Sequence, residues 1–364
     1  MNIHNLWLSN IPNITSTKAT ALLKFFKTPE GIYKATQKQL QATNLPPGII
    51  NQVITSQKID PNTLAQTLHK HNITFTSLYD DPTYPTNLKE IPNPPTGLYI
   101  QGKLTTIPTQ NNIAIVGARK CSEYGILTAV KLAKYFATKN INVISGMAKG
   151  IDSYAHKGTL EENGTTIAVL GTGTDICYPA ENRNLYQKIL ATGAVISEYF
   201  PGTTPMPYHF PMRNRIISGL SQGIVLVEAN KNSGSLITAD TALEQGRDVF
   251  AVPGNITSRL SYGTNNLIKQ GATIVTHPQD VLNNLGIVET TTASHFNEEK
   301  NIKPEKNLAP DEKLVYDCIS FEPTTVDEIY DKLSINLEKI HYALTLMEIK
   351  GVVSRLPGGR YTTN

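Results

Sequence analysis

The sequence predicts an α/β protein: a parallel sheet covered by helices on both faces, with a helical segment before it and a winged-helix module after it. Three observations predict this. From Asn112 onward, short apolar runs alternate with glycine-rich turns and helical stretches of about ten residues or more, the pattern of βαβ units. Those runs are apolar along their whole length, as strands buried on both faces are. The chain has 364 residues, 40% of them hydrophobic, which is too long for one ordinary core and enough to fill two or three.

In chain order, residues up to about Lys70 alternate apolar helical patterns with breakers: Thr17 to Phe26, Gly31 to Leu40, Gly48 to Ser56 and Pro61 to His69. A connector follows in which Pro82, Pro85, Pro92, Pro94 and Pro95 forbid long helices and predict an extended lead-in. The expected strands are residues 113–116, 142–145, 166–170, 194–197, 223–228, 248–252 and 273–275. After Leu285 the chain turns polar and charged, as a linker does. From Asp311, three short helical patterns end in a glycine-tipped hairpin, the outline of a winged helix. No internal repeat or low-complexity tract is evident.

The formal charge is +3, with 33 basic and 30 acidic residues, so any anion site has to come from local placement and not from a uniformly basic surface. Cys121, Cys177 and Cys318 lie far apart with no Cys-x-x-Cys pair, which argues against a disulfide framework or a zinc ribbon and fits a reducing, cytoplasmic compartment. The start of the chain has no basic, apolar export pattern, and no run of about 18 apolar residues occurs, so no membrane partner is expected.

In an open parallel sheet, ligands sit outside the carboxyl ends of the strands. The loops there are rich in glycine and cations. The first carries Gly117, Arg119 and Lys120; the second, Ser145, Gly146, Lys149 and Gly150; the third, Gly171, Gly173 and Arg183. The fourth delivers His209, Arg213, Asn214 and Arg215, and the fifth the turn Ser233, Gly234 and Ser235 at a helix start. Glycine turns, helix N-termini and cations along one crevice suit several phosphates in a row, and a polynucleotide fits that better than a single cofactor. Glu123, Asp152, Asp175, Glu181, Glu198 and Glu228 share these loops, so the expectation is a positive track. Tyr124, Tyr178, Tyr199, Tyr208 and Phe210 are available to stack on bases.

The runs IVGARKCSEYG, SGMAKGIDSYAHKGTL, AVLGTGTDICYPAENRNLY, YHFPMRNRIISGLS, SGSLITADTALEQGRDVFAVPG and GTNNLIKQGA resemble, in order, the motifs of the DprA (DNA-processing protein A, or Smf) family. The likeness covers roughly residues 78–285, with YHFPMRNRIISGLS its most diagnostic part. It implies a SAM-like helical domain over 1–75, an extended Rossmann-like domain over 76–286, a linker over 287–310 and a winged helix over 311–364. It further implies a non-enzymatic homodimer, without cofactor, that binds single-stranded DNA, protects it during natural transformation and recruits RecA recombinase. Arg119 falls at the family's phosphate-site arginine and Arg183 at its basic residue after the third strand, whereas Ala180 and Asn184 stand at the two places where many members carry a second cation, which implies either a lower local affinity or a role for Lys188.

Plainer roles compete for several residues. One of Arg213 and Arg215 is expected to hold its loop through a buried salt bridge to Glu198 or Glu228. Asp152 reads as a helix cap, and His156 and His209 as hydrogen-bonded structural histidines. No histidine pair has metal-ligand spacing, and Cys121 and Cys177 lack a histidine partner, so neither a metal site nor a catalytic residue is expected. A nicotinamide dehydrogenase would need GxGxxG, which neither GARKCS nor GTGTDI supplies. A nucleotide phosphoribohydrolase would need a PGGxGTxxE turn where NSGSLITADTALE stands. A duplex-DNA regulator would read through NLEKIHYALTLMEIKG, whose Lys339, His341 and Lys350 are offset by Glu338 and Glu348. A dimer contact would use apolar residues near Leu267, Ile268, Ile274 and Val275, which equally suit the core.

Overall fold

The computed structural model describes residues 2–79, 81–287, 308–319, 323–333, 335–356 and 358–363. The chain divides into two compact units, Met1–Glu289 and Thr290–Asn364. Most of the expected linker, residues 288–307, lies outside the described residues.

The first unit opens with α1 (Ile3–Ser9), α2 (Ser16–Phe26), α3 (Pro29–Tyr33), α4 (Gln37–Gln41), α5 (Pro47–Ser56) and α6 (Pro61–Lys70). Short polar residues start these helices: Thr15 accepts from the Lys18 amide, Thr28 from Gly31 and Asp60 from Asn62. The single helix expected from Gly31 to Leu40 is two, because Thr36 and Gln39 form a capping box that begins a new helix. Helix α1 was not expected. Its Leu6, Trp7 and Leu8 are buried with Leu22, Ile32, Leu40, Val53 and Leu68, and the Trp7 indole donates to the Ser56 carbonyl at 2.8 Å.

The sheet contains β1 (Ile73–Ser77), β2 (Gly97–Gly102), β3 (Asn112–Val116), β4 (Asn142–Ser145), β5 (Thr166–Val169), β6 (Ala194–Ser197), β7 (Gly223–Leu226), β8 (Asp248–Ala251) and β9 (Thr273–Ile274). Their order is β1-β2-β6-β5-β4-β3-β7-β8-β9. From β6 to β9 neighbouring strands are parallel, as expected; β1 and β2, within the proline-rich connector, add an antiparallel edge. Those two strands escaped the sequence reading because their prolines lie between them and not within them. Helices α7 (Thr86–Lys89), α8 (Glu123–Thr138), α9 (Ile151–Glu161), α10 (Arg183–Thr192), α11 (His209–Leu220), α12 (Gly234–Glu244), α13 (Tyr262–Lys269) and α14 (Pro278–Asn284) cover it.

Alternation along the strands divides the core. Ala114, Val116, Ile144 and Leu226 pack on Leu88 of α7, Ile216 and Ile217 of α11, Ala239 of α12 and Leu267 of α13. Ile113, Ile115, Val143 and Val225 face Leu132 and Phe136 of α8, Ala155 of α9 and Val281 of α14. Burial of each such side chain is worth about 1.5–3 kcal/mol, which accounts for the apolar runs seen in the sequence. Of the residues open to either a dimer contact or the core, Leu267 and Val275 belong to these cores at 6% and 4% exposure, whereas Ile274 is 46% exposed.

The second unit holds α15 (Pro310–Asp317), β10 (Thr324–Thr325), α16 (Val326–Leu333), α17 (Leu337–Ile349), β11 (Val353–Leu356) and β12 (Arg360–Thr363), with the strands ordered β10-β12-β11. Gly358 and Gly359, at φ of 85° and 72°, turn the wing. Val315, Ile329, Ile340, Leu344, Met347 and Tyr361 form its core. Lys350 pairs with the buried Glu312 at 2.7 Å, which further weakens the basic face a duplex-DNA regulator would need on this helix.

Candidate nucleic-acid interface

Strand order reverses its winding at β3 and β7, which are neighbours in the sheet although far apart in sequence. Loops leaving the two strands diverge there and open a crevice. A cleft of about 690 Å³ occupies that position, lined by Gly117, Ala118, Arg119 and Lys120 after β3, by Ala148 and Asp152 after β4, by Tyr178 after β5, and by Asn232, Ser233, Gly234 and Ser235 after β7. Helix α11 contributes Phe210, Arg213 and Asn214.

The loop after β3 is held from across the crevice. Glu228, 3% exposed at the end of β7, accepts from the Ser122 amide at 2.9 Å and the Ser122 hydroxyl at 2.5 Å. Ser122 in turn caps α8 through the Gly125 amide. The N-terminus of α8 is therefore spent internally, and Glu228 is an anchor, not one of the crevice's repelling charges. Arg119 and Lys120 remain exposed, and the Arg119 guanidinium lies 5.8 Å from the centroid of the Phe210 ring.

At α12 the opposite holds. No side chain caps the helix at Ser233; the Ser233 and Ser235 hydroxyls bond each other at 2.8 Å, and a Cβ on Gly234 would meet nothing within 4 Å. An uncapped first turn with open space before it is suited to an anion. Asn214 reaches the Gly234 carbonyl at 3.4 Å, joining α11 to this turn.

Several residues expected to touch a ligand are buried in the protein itself. Arg213 is 5% exposed; its Nη1 donates to the Gly146 carbonyl at 2.7 Å and to the Val169 carbonyl. Burial pushes its pKa down to about 10, against the pull of Asp152, so it stays a cation. Arg215 pairs with Glu198 at 2.5 Å, with 12% and 16% of the two side chains exposed, a part-buried form of the bridge anticipated for one of the two arginines. The glycines Gly146, Gly171 and Gly173 serve packing and not ligand approach: an added Cβ would strike the Arg213 guanidinium at 2.5 Å, the Phe210 ring at 3.1 Å and the Asp175 carboxylate at 2.6 Å, respectively. Gly150, at φ 77°, lets the chain pass 2.3 Å from the Ala118 carbonyl as measured to a hypothetical Cβ. Ser145 is buried and donates to the Ile115 carbonyl at 2.7 Å. The sequence could not separate these from cleft residues because a glycine needed for close packing and one needed for ligand approach look alike.

Asp152 does not cap its own helix. Its carboxylate turns back to accept from the Gly146 and Ala148 amides at 3.1 and 3.3 Å, and burial raises its pKa while Arg213 and those amides oppose the rise. His156 bonds Thr166 at 2.6 Å and His209 the Gly171 carbonyl at 3.0 Å; burial drives His156 down to about 3, so it is neutral. Lys149 is exposed and pairs with the equally exposed Glu181 at 2.5 Å. Arg183 is exposed at the start of α10. Tyr124, Tyr178 and Tyr208 are 49%, 46% and 61% exposed, whereas Tyr199 stacks on His209 at 3.9 Å. Lys231, beside Tyr262 at 5.9 Å, is a further cation in the β7 loop, with no motif in the sequence to single it out. Among the described residues, no three His, Cys, Asp or Glu side chains are grouped to hold a metal, and no helix is long and apolar enough to cross a membrane.

Residues 75–286 match the family model for DNA recombination-mediator protein A. The chain belongs to that family, DprA/Smf. A DprA winged helix domain matches residues 299–359. The DNA processing protein DprA of Streptococcus pneumoniae is 46% identical over 206 residues, spanning 57% of this chain and 72% of that protein. Protein Smf of Synechocystis is 35% identical over 311 residues, 78% of each chain, and Protein Smf of Escherichia coli is 38% identical over 283 residues, 77% and 75%. The X-ray structure of the Streptococcus pneumoniae protein aligns with a TM-score of 0.64 at 36% identity, covering 78% of this chain and 98% of that one. DNA processing protein A of Helicobacter pylori, whose structure concerns its mode of binding single-stranded DNA, aligns with a TM-score of 0.53 at 28% identity over 58% and 96%.

Proposed function

We propose that this DprA/Smf-family chain binds single-stranded DNA along the cleft between β3 and β7, makes and breaks no bond in it, and passes it to RecA recombinase as a cytoplasmic homodimer serving DNA uptake and recombination. The observation that carries this reading is the pairing, on opposite walls of one cleft, of the exposed Arg119 and Lys120 with the uncapped α12 turn at Ser233, Gly234 and Ser235. Cations on one side and open amides on the other fit a chain of phosphates. Lys149 and Arg183 extend the track; the Lys149 pair with Glu181 is solvent-screened and readily exchanged for a phosphate. Gly117 lines the first wall, Arg213 braces the chain after β4 and at the end of β5, Asn214 holds the α12 turn, and Arg215 holds the chain after β6. The binding unit is taken as residues 76–286, with residues 1–75 and 311–364 flanking it and 287–310 as linker.

The Helicobacter pylori relative supports single strands as the ligand. The test is fluorescence anisotropy of a labelled oligo-dT against the equal-length duplex. Arg119→Ala with Arg183→Ala should collapse single-strand binding without unfolding the protein. With about four phosphates neutralised per subunit, log affinity should fall with log salt at a slope near −3. Equal duplex binding, indifference to the substitutions or a slope near zero would refute the reading.

A further inference from the structure

We propose that the helical segment opening the chain is a second single-strand contact, in which Phe25 offers a stacking face between Lys24 and Lys27. This rests on the cleft being the primary single-strand site. Charge is the first observation: residues 1–72 hold seven lysines against only Glu30 and Asp60, a net charge of +5 in a chain whose total is +3. Both acids are already engaged, Glu30 with Lys34 at 2.5 Å and Asp60 with the Asn62 amide that begins α6. The basic character of the molecule is thus concentrated here.

The second observation is an aromatic ring without cover. Phe25 is 50% exposed at the end of α2; it leans on Phe26 at 4.8 Å, and Phe26, not Phe25, packs against the helical core. The exposed Lys24 and Lys27 flank it in sequence. A flat apolar face between two cations is the chemistry of an unpaired base and its neighbouring phosphates; an acidic protein would need the lysines but not the ring, and a duplex has its bases already stacked.

The third is position. Helix α2 begins at the carboxyl rim of the sheet: Ser16 donates to Asn93 at 3.3 Å and its carbonyl accepts from the Tyr79 hydroxyl at 3.1 Å. Ser77, at the end of β1, pairs with Gly97, and Tyr99 pairs with Ser197 at the end of β6. The Phe200 ring, just beyond β6, packs with the helical core. A strand leaving the cleft past β6 along this rim therefore meets the start of α2, with Phe25 about 14 Å further along the same helix.

The experiment uses the full chain with the triple substitution Lys24→Gln, Phe25→Ser, Lys27→Gln and two oligo-dT lengths, about six nucleotides to occupy the cleft alone and about thirty to run beyond it. The expected result is unchanged affinity for the short oligonucleotide, a loss of at least about fivefold for the long one, and a salt slope shallower by about 1.4. In a separate Phe25→Trp variant, long oligo-dT should quench the new indole emission, since the native Trp7 is 1% exposed and shielded. Unchanged long-oligonucleotide affinity in the triple variant, with Arg119→Ala still weakening it, overturns the second contact and leaves the cleft standing. Equal losses at both lengths also overturn it. Loss of polyglutamate binding without loss of DNA binding would reassign the surface to an acidic protein. Indifference of DNA binding to Arg119→Ala would instead strike the cleft reading.

Discussion

At the scale of single residues, the cleft is divided between side chains that face outward and side chains that hold the walls. Arg213 illustrates the second group. Its guanidinium bonds two carbonyls at the ends of different strands and stands near a buried carboxylate, so Arg213→Ala would take this donor from both carbonyls and the compensating charge from Asp152. Removing one member of such a buried set costs about 3–5 kcal/mol, and thermal unfolding should show a Tm lower by about 6 °C or more. Arg119→Ala, at an exposed position, should leave Tm within about 2 °C of wild type. An Arg213→Ala protein as stable as wild type would mean that the arginine belongs to the ligand-facing group after all. His156 sets a pH dependence. The unfolded imidazole takes a proton below its ordinary 6.5, whereas the folded one resists until about 3. Across that window the unfolded state binds more protons, so stability is full above 6.5 and falls as pH drops, by up to about 1.4 kcal/mol per pH unit. Denaturant titrations of wild type and His156→Gln at pH 7 and 5 should differ in this slope; identical slopes would contradict a neutral buried His156.

At the scale of elements, the first turn of α12 separates stability from binding. An aspartate placed there favours the helix dipole by about 0.3–1 kcal/mol and repels a phosphate at the same spot. Gly234→Asp should therefore hold or raise Tm while weakening oligo-dT binding severalfold, a combination that loss of folding cannot imitate. Unchanged binding would remove the α12 turn from the track. The elements also show what the sequence made legible. The parallel strands are readable because Ile113 to Val116 and Ala194 to Ile196 are apolar on both faces, a constraint set by two covering helix layers. Strands β1 and β2 were not, because their pairing is fixed by partners distant in sequence. The same limit applies to the site. Arg119 and the Ser-Gly-Ser turn stood out because a glycine turn after a strand is a local signal, whereas Glu228 reaching Ser122 and Arg213 reaching Gly146 are long-range contacts with no local mark.

At the scale of the whole molecule, the sheet's winding reversal brings residues more than a hundred positions apart to one opening, and Glu228 ties its two sides together through the protein's own hydrogen bonds. A mouth fixed by the protein's own hydrogen bonds has met its ordering cost at folding. On the proposed function, entry of a strand requires no rearrangement of the chain, and encounter with the cleft should follow one exponential phase whose rate rises linearly with concentration and drops with salt. Stopped-flow mixing with a short oligo-dT checks this: a rate that levels off at high concentration would reveal a slow opening step. Glu228→Gln should convert the first behaviour into the second, because the amide cannot serve both Ser122 donors as a carboxylate does, and the lip after β3 would have to be ordered anew at each encounter.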